Sequence, residues 1–200
     1  VTFRIRFFLI SLLALLCCTS LQAAELANPR SMAFPPLTFA VPKVERVVLQ
    51  NGTPVYLLQD HELPLVTVTA LLHTGSVYDP PGKSGLAALT GSQLRGGGTG
   101  ALTPAQLDGE LEFMASSIES SFGTDLGSVT MTSLAKNLPR SLQLFSDILF
   151  KPRFDEHRLN VARQQVLDAI RRQNDDPKEL ADRELRKAIY AGHPLGLEPT

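Results

Sequence analysis

At 200 residues, with 44% hydrophobic and 20% charged content, the chain is long enough to bury one sizeable core and is neither a disordered nor a collagen-like sequence. Its formal net charge of −1 lacks the clustered Lys and Arg that phosphate binding needs, which sets nucleic acids and anionic membrane surfaces aside as partners. Both cysteines, Cys17 and Cys18, lie in the first apolar stretch, so everything after it is without thiols, disulfides, zinc-finger ligands or a cysteine nucleophile.

Arg4 and Arg6 precede an apolar run from Phe7 to Cys18 and a small-residue stretch ending Leu21-Gln22-Ala23-Ala24, the layout of a secretory signal peptide. The run is about 12 residues long, short of the roughly 20 that a membrane-spanning helix requires. Residues 1–24 therefore read as a signal peptide cleaved near Ala23 or Ala24, with a lipid anchor at Cys17 or Cys18 as the alternative. Leu16 before Cys17 suits a lipid-attachment motif poorly. Export to a bacterial periplasm or the cell exterior is the expected destination, with no membrane span after cleavage. Residues 25–43, broken by Pro29, Pro35, Pro36 and Pro42, read as an extended leader.

A hairpin follows: strands over 44–49 and 55–59 flank Asn51-Gly52, a pair that tolerates the positive φ of a tight turn. A third strand over 65–73 alternates Leu65, Thr67 and Thr69 on one face with Val66, Val68 and Ala70 on the other. Next comes a helix over 84–94, with Ser84 available as its N-cap and Leu86, Leu89 and Gln93 on one side. Gly96-Gly97-Gly98 ends it. Pro104 opens a second helix in which Leu107, Leu111 and Met114 are spaced for burial. Strands over 117–122 and 127–134 lead into a helix over 138–150. Asp155 caps a longer helix whose Leu159, Ala162, Val166 and Ala169 track one face, and Pro177 opens a last helix through Leu180, Leu185 and Ile189. Hairpin-rich strands with clustered helices argue an α+β fold, a largely antiparallel sheet with the helices packed on one face.

The ordered series Leu49-Gln50-Asn51-Gly52, Val55, His73-Thr74-Gly75-Ser76, Gly85-Leu86-Ala87 and Gly98-Thr99 resembles the opening of pitrilysin and insulinase-type peptidases, including mitochondrial processing peptidase subunits. Pro152-Arg153-Phe154-Asp155, Asp175-Asp176-Pro177 and His193-Pro194-Leu195-Gly196 look like later landmarks of the same domain. The resemblance spans 44–200, which reads as an N-terminal pitrilysin-like peptidase domain. It implies that the domain continues through another helix and strand and is followed by a second homologous half, so that the domain is incomplete at Thr200.

In that family Gly-Leu-Ala opens a helix bearing His-x-x-Glu-His, an inverted zinc motif. Residues at i and i+4 share a helical face, so both imidazoles reach one ion while the glutamate between them meets its water. The resemblance places these positions at Ala88 (first His), Gly91 (base) and Ser92 (second His), and the third ligand, a glutamate on a later helix, at Ala169. Asp168 is adjacent, but one step along a helix turns a side chain by about 100°. A methyl, a hydrogen, a hydroxyl and a second methyl offer no imidazole or anionic oxygen to a divalent ion. The expectation is a chain with no metal site, no catalytic residues and no cofactor, where the family would carry zinc.

Other chemistry finds less support. Asp60-His61-Glu62 suggests a zinc helix, but Pro64 interrupts any helix and Leu65 stands where a second histidine would be. His73 reads as a hydrogen-bonded strand residue, His157 as part of an exposed helical turn and His193 as a loop residue. Pro81-Gly82-Lys83-Ser84-Gly85 imitates a phosphate loop, yet Val77 replaces the glycine that G-x-x-x-x-G-K-[ST] requires. Ser92 has no identifiable base.

By resemblance, Glu119, Ser120 and Ser121 correspond to the edge strand with which active relatives hold an extended peptide. Glu119 departs from the neutral residue expected there. The reading that follows is a non-catalytic, exported pseudo-peptidase that pairs with an active zinc homologue and lines a chamber for peptide or unfolded polypeptide. A stand-alone peptide-binding or scaffold module is one alternative. A zinc metalloendopeptidase whose ligands lie outside these residues is the other.

Overall fold

The computed structural model describes residues 41–197, so the expected signal segment and most of the leader lie outside the described residues. The chain falls into two compact units, one ending at Gln59 and the other beginning at Asp60. In the first, β1 (Glu45–Val48) and β2 (Pro54–Leu57) pair antiparallel, Glu45 opposite Leu57 and Val48 opposite Pro54. Gly52, at φ 85°, turns the chain, and the Asn51 side-chain oxygen accepts the Thr53 amide at 3.0 Å. The expected hairpin forms, with β2 starting a residue early and ending at Leu57.

The second unit is an α+β layer. Its sheet runs β3 (Leu65–Leu72), β5 (Gly127–Leu134), β4 (Ser117–Phe122), all antiparallel. Alternation divides the two faces as the sequence predicts. Val68, Ala70 and Leu72 join Ile118, Val129 and Met131 on the inner face, and the last three are fully buried. On the outer face Thr67 and Thr69 pair through hydroxyls with Thr132 and Thr130 at 3.3 and 3.2 Å.

Three helices cover the inner face: α1 (Leu86–Gly96), α2 (Pro104–Phe113) and α3 (Leu138–Phe150). They contribute Leu94, Leu107, Leu111, Leu144, Phe145 and Ile148 to the core. α2 begins as expected. Thr103 caps it in a reciprocal box with Gln106, Pro104 fills the first turn, and Leu107, Leu111 and Met114 are buried. At one corner the hydroxyls of Ser116, Ser133 and Ser141 form a closed triangle of 2.8–3.1 Å contacts, so two fully buried polar side chains are satisfied by each other.

The glycine triplet does more than end α1. Gly97 to Gly100 runs antiparallel to Lys151–Asp155, with Gly100 and Lys151, Arg153 and Gly98, and Asp155 and Gly97 joined by backbone hydrogen bonds of 2.7–3.2 Å. A Cβ on Gly97 would lie 2.9 Å from the Phe154 Cα, so the two sequence landmarks meet at a residue without a side chain.

α4 (Glu156–Arg172), capped by Asp155, and α5 (Pro177–Ile189), capped by Asp176, depart from their expected packing. α4 has no buried residue, Val166 is 40% exposed, and on α5 Leu185 and Ile189 are exposed while Arg183 is buried. Arg183 closes the α4–α5 turn, its guanidinium donating to the Gln173 carbonyl at 3.0 Å and the Asn174 side-chain oxygen at 2.5 Å. Apolar periodicity tracks an amphipathic stripe, but it gives no information on whether an arginine head group will be drawn under the turn.

Between α2 and α3, Arg140 donates to both carboxylate oxygens of Glu110, at 2.6 and 2.9 Å. Those hydrogen bonds, opposed by burial and helped by the guanidinium charge, hold the Glu110 carboxyl below its ordinary pKa. A carboxyl depressed in the folded state stabilises the fold above its unfolded pKa, and that contribution disappears as pH falls through the folded value. Wild type should therefore lose more stability than Glu110→Gln between ~pH 5 and ~pH 3. The pair is partly exposed, so urea denaturation across that range should show a difference within about 1 kcal/mol. Parallel pH profiles for the two proteins would contradict this account.

Candidate functional site: helix α1 and strand β4

The site is built on α1 and the strand it crosses. The Asp79 carboxylate accepts the amides of Gly85 and Ala87, both at 2.8 Å, and so caps the helix from outside its own sequence neighbourhood. This corrects the expectation that Ser84 caps it: the helix starts two residues later, behind Gly85 at φ 97°. Just upstream, Gly75 packs so closely on the β4–β5 turn that a Cβ would fall 2.3 Å from the Thr124 carbonyl oxygen. That contact lets Ser76 and Val77 donate to the Gly123 and Thr124 carbonyls at 3.0 Å, anchoring the approach to the helix.

The inner side of α1 matches the expectation only at Gln93. Leu86 is exposed and Leu89 half-buried, whereas Ala87, Gly91, Gln93 and Leu94 are buried. Small residues let a helix approach a strand closely, yet they carry little weight in a hydrophobic pattern, which is why the pattern pointed to the larger leucines.

Gly91 is the point of closest approach. A Cβ there would lie 2.5 Å from the Phe122 backbone nitrogen and 2.9 Å from its Cγ. Ser120 of β4 reaches into the helix at the same level. Its hydroxyl donates to the Gly91 carbonyl at 2.6 Å and accepts the Arg95 amide at 3.2 Å, bridging the two groups that an α-helix ordinarily pairs with each other. One turn on, Arg95 Nε donates to the Ile118 carbonyl at 3.2 Å and its guanidinium pairs with Asp108 of α2, which also meets Arg158 of α4 at 3.6 Å.

Each position singled out in the sequence can now be placed. Ala88 and Ser92 are exposed on α1, Gly91 is pressed against β4, and Ala169 is exposed on α4. The Ser92 hydroxyl donates to the Leu89 carbonyl of its own helix at 2.8 Å. Asp168, next to Ala169, pairs with Arg171 at 2.9 Å. Gln93, buried beside Ser92, has an amide oxygen without a hydrogen-bond partner among the described residues, but one neutral oxygen does not replace three ligands. No three His, Cys, Asp or Glu side chains gather into a possible metal site among the described residues. The donor set does not fit zinc, and a glutamate at position 91 does not fit the space.

On β4, Glu119 and Ser121 are exposed, while Ser120 turns inward and its hydroxyl is engaged by α1. His73, just past β3, contacts the Tyr78 hydroxyl at 3.1 Å, and the His193 ring accepts the Leu195 amide at 3.2 Å. Among the described residues no helix is long and apolar enough to cross a membrane.

The sequence profile of the insulinase family, peptidase family M16, matches residues 55–199. This chain belongs to that family. It is 25% identical over 158 residues to the mitochondrial-processing peptidase subunit beta of Dictyostelium discoideum, covering 78% of this chain and 33% of the relative. An uncharacterized zinc protease of Rickettsia bellii is 22% identical over 148 residues, with 74% and 36% covered. The chain thus spans about a third of the length of these relatives. Among solved structures, the peptidase M16 inactive domain from Pseudomonas fluorescens superposes with a TM-score of 0.71 at 25% identity, over 76% of this chain and 37% of that one. The periplasmic protease PqqL from Escherichia coli superposes at 0.70 and 17% identity, over 86% and 19%, a likeness of fold.

The helix–strand contact makes a quantitative prediction. Helix propensity alone favours alanine over glycine by about 1 kcal/mol. If the contact dominates, Gly91→Ala should instead destabilise by about 1–3 kcal/mol, and Gly91→Glu by more. Ala169→Glu, on an exposed helical face, should shift stability by less than ~0.5 kcal/mol. Urea denaturation of the three variants checks this, and a Gly91→Ala protein as stable as wild type would refute the contact.

Proposed function

We propose that this chain is a non-catalytic insulinase-family component that pairs with an active zinc-bearing homologue and contributes surface to a peptide-binding chamber. The observation that carries the reading is the state of the motif positions. Ala88, Gly91, Ser92 and Ala169 supply no ligand and no base, and the base position is occupied by a packing contact with Phe122. Without an ion or a base, water has nothing to activate it at this site.

Two relatives are consistent with such a role. One is by name a subunit of a processing peptidase, and another is described as an inactive domain. Export, to a periplasm or beyond the cell, rests on the signal-like layout of residues 1–24, and the proposed peptidase-like domain runs from 44 to 200 after a leader over 25–43. The exposed side chains of Glu119 and Ser121 on β4 favour a second reading, a stand-alone peptide-binding module: an edge strand holds an extended chain through its backbone and needs no metal to do so.

A mixing experiment separates the readings. The purified chain alone should leave an unstructured oligopeptide intact, while addition to a metal-bearing family member should change that enzyme's chelator-sensitive cleavage and yield a co-eluting complex. Peptide binding with no effect on any family protease would favour the stand-alone module. Chelator-sensitive cleavage by the chain alone would overturn the non-catalytic reading.

A further inference from the structure

A cavity of about 560 Å³ opens between the loop that precedes α1 and the middle of α4. That volume lies within the few-hundred to thousand Å³ range of ordinary ligand sites. Leu86 and Leu89 of α1 and Val166 and Ile170 of α4 give it an aliphatic lining, and Leu86 and Val166 keep 44% and 40% of their surface exposed. Lys83, on the loop, and Arg163, on α4, stand on different walls.

Among the described residues neither cation has a side-chain ion pair or hydrogen bond, and none that lines the cavity is a carboxylate. Other arginines of these helices do have partners: Arg95 and Arg158 share Asp108, and Arg171 pairs with Asp168. The cavity thus combines apolar surface with two uncompensated positive charges on separate elements. A ligand that complements it needs aliphatic groups and more than one negative charge. A single-headed amphiphile such as a fatty acid brings one carboxylate, whereas a peptide alternating acidic and aliphatic residues brings several, spaced along a chain.

We propose that this cavity docks an acidic, aliphatic peptide segment whose carboxylates pair with Lys83 and Arg163 while its side chains cover Leu86, Leu89, Val166 and Ile170. The site lies on α1 and α4, apart from the β4 strand, and requires neither zinc nor a family partner. Charge pairs this exposed contribute modestly one at a time and are weakened by salt, so the site should be sensitive to ionic strength.

Fluorescence anisotropy with the full chain tests it, using a short dye-labelled peptide of alternating Glu and Leu and a matched peptide with Gln for Glu. The Glu peptide should bind saturably at low salt and lose affinity as salt rises. Binding should fall roughly tenfold in Lys83→Glu/Arg163→Glu. It should fall as well in Val166→Asp. These positions are exposed, and matching circular dichroism melts would show that the variants remain folded. Equal affinity for the Glu and Gln peptides, or unchanged binding by the charge-reversed protein, would overturn the proposal. Saturable binding of dodecanoate without binding of the Glu peptide would overturn the peptide assignment too.

Discussion

The contact on which the candidate site depends is the approach of one helix to one strand at a residue without a side chain. Gly91 brings α1 close enough to β4 for the Ser120 hydroxyl to join the helical hydrogen-bond ladder and for Arg95 to reach the Ile118 carbonyl. Arg95 then ties α1 through Asp108 to α2 and, by way of Arg158, to α4. At the positions that the resemblance assigns to a zinc site, α1 offers no ligand side chain, and Gly91, the position it assigns to the base, is packed against Phe122.

Much of this was legible in the sequence because the relevant forces are local. Asn51-Gly52 specifies a turn through backbone sterics, Pro104 specifies a helix start, and the alternation in β3 specifies which of its residues face the core. Turn, cap and periodicity signals indicated the order of elements, and the structure explains two of the family landmarks physically. Gly75 is held against the Thr124 carbonyl and Gly97 against the Phe154 backbone, so each position needs backbone unencumbered by a side chain.

What escaped the sequence depends on tertiary contacts. Asp79 caps α1 from across a loop of two prolines, a spacing no local capping rule covers. The buried residues of α1 are Ala87, Gly91 and Leu94 together with the expected Gln93, and hydrophobic periodicity undervalues residues whose contribution is smallness. Arg183 is buried because the α4–α5 turn offers it a carbonyl and an amide oxygen, partners invisible until the turn is closed. At the degenerate site the missing ligands were evident from residue identity alone, whereas the steric exclusion at Gly91 required the strand opposite.

If the donor set and the packing at the assigned positions both exclude zinc, added metal should not bind tightly at α1. Quantifying zinc in the purified chain after equilibration with a modest excess and removal of free ion, alongside its thermal melting, measures this directly. The account predicts far less than one zinc per chain and an unchanged melting temperature. Near-stoichiometric zinc that raises the melting temperature, and that is lost together with this rise on chelation, would contradict it.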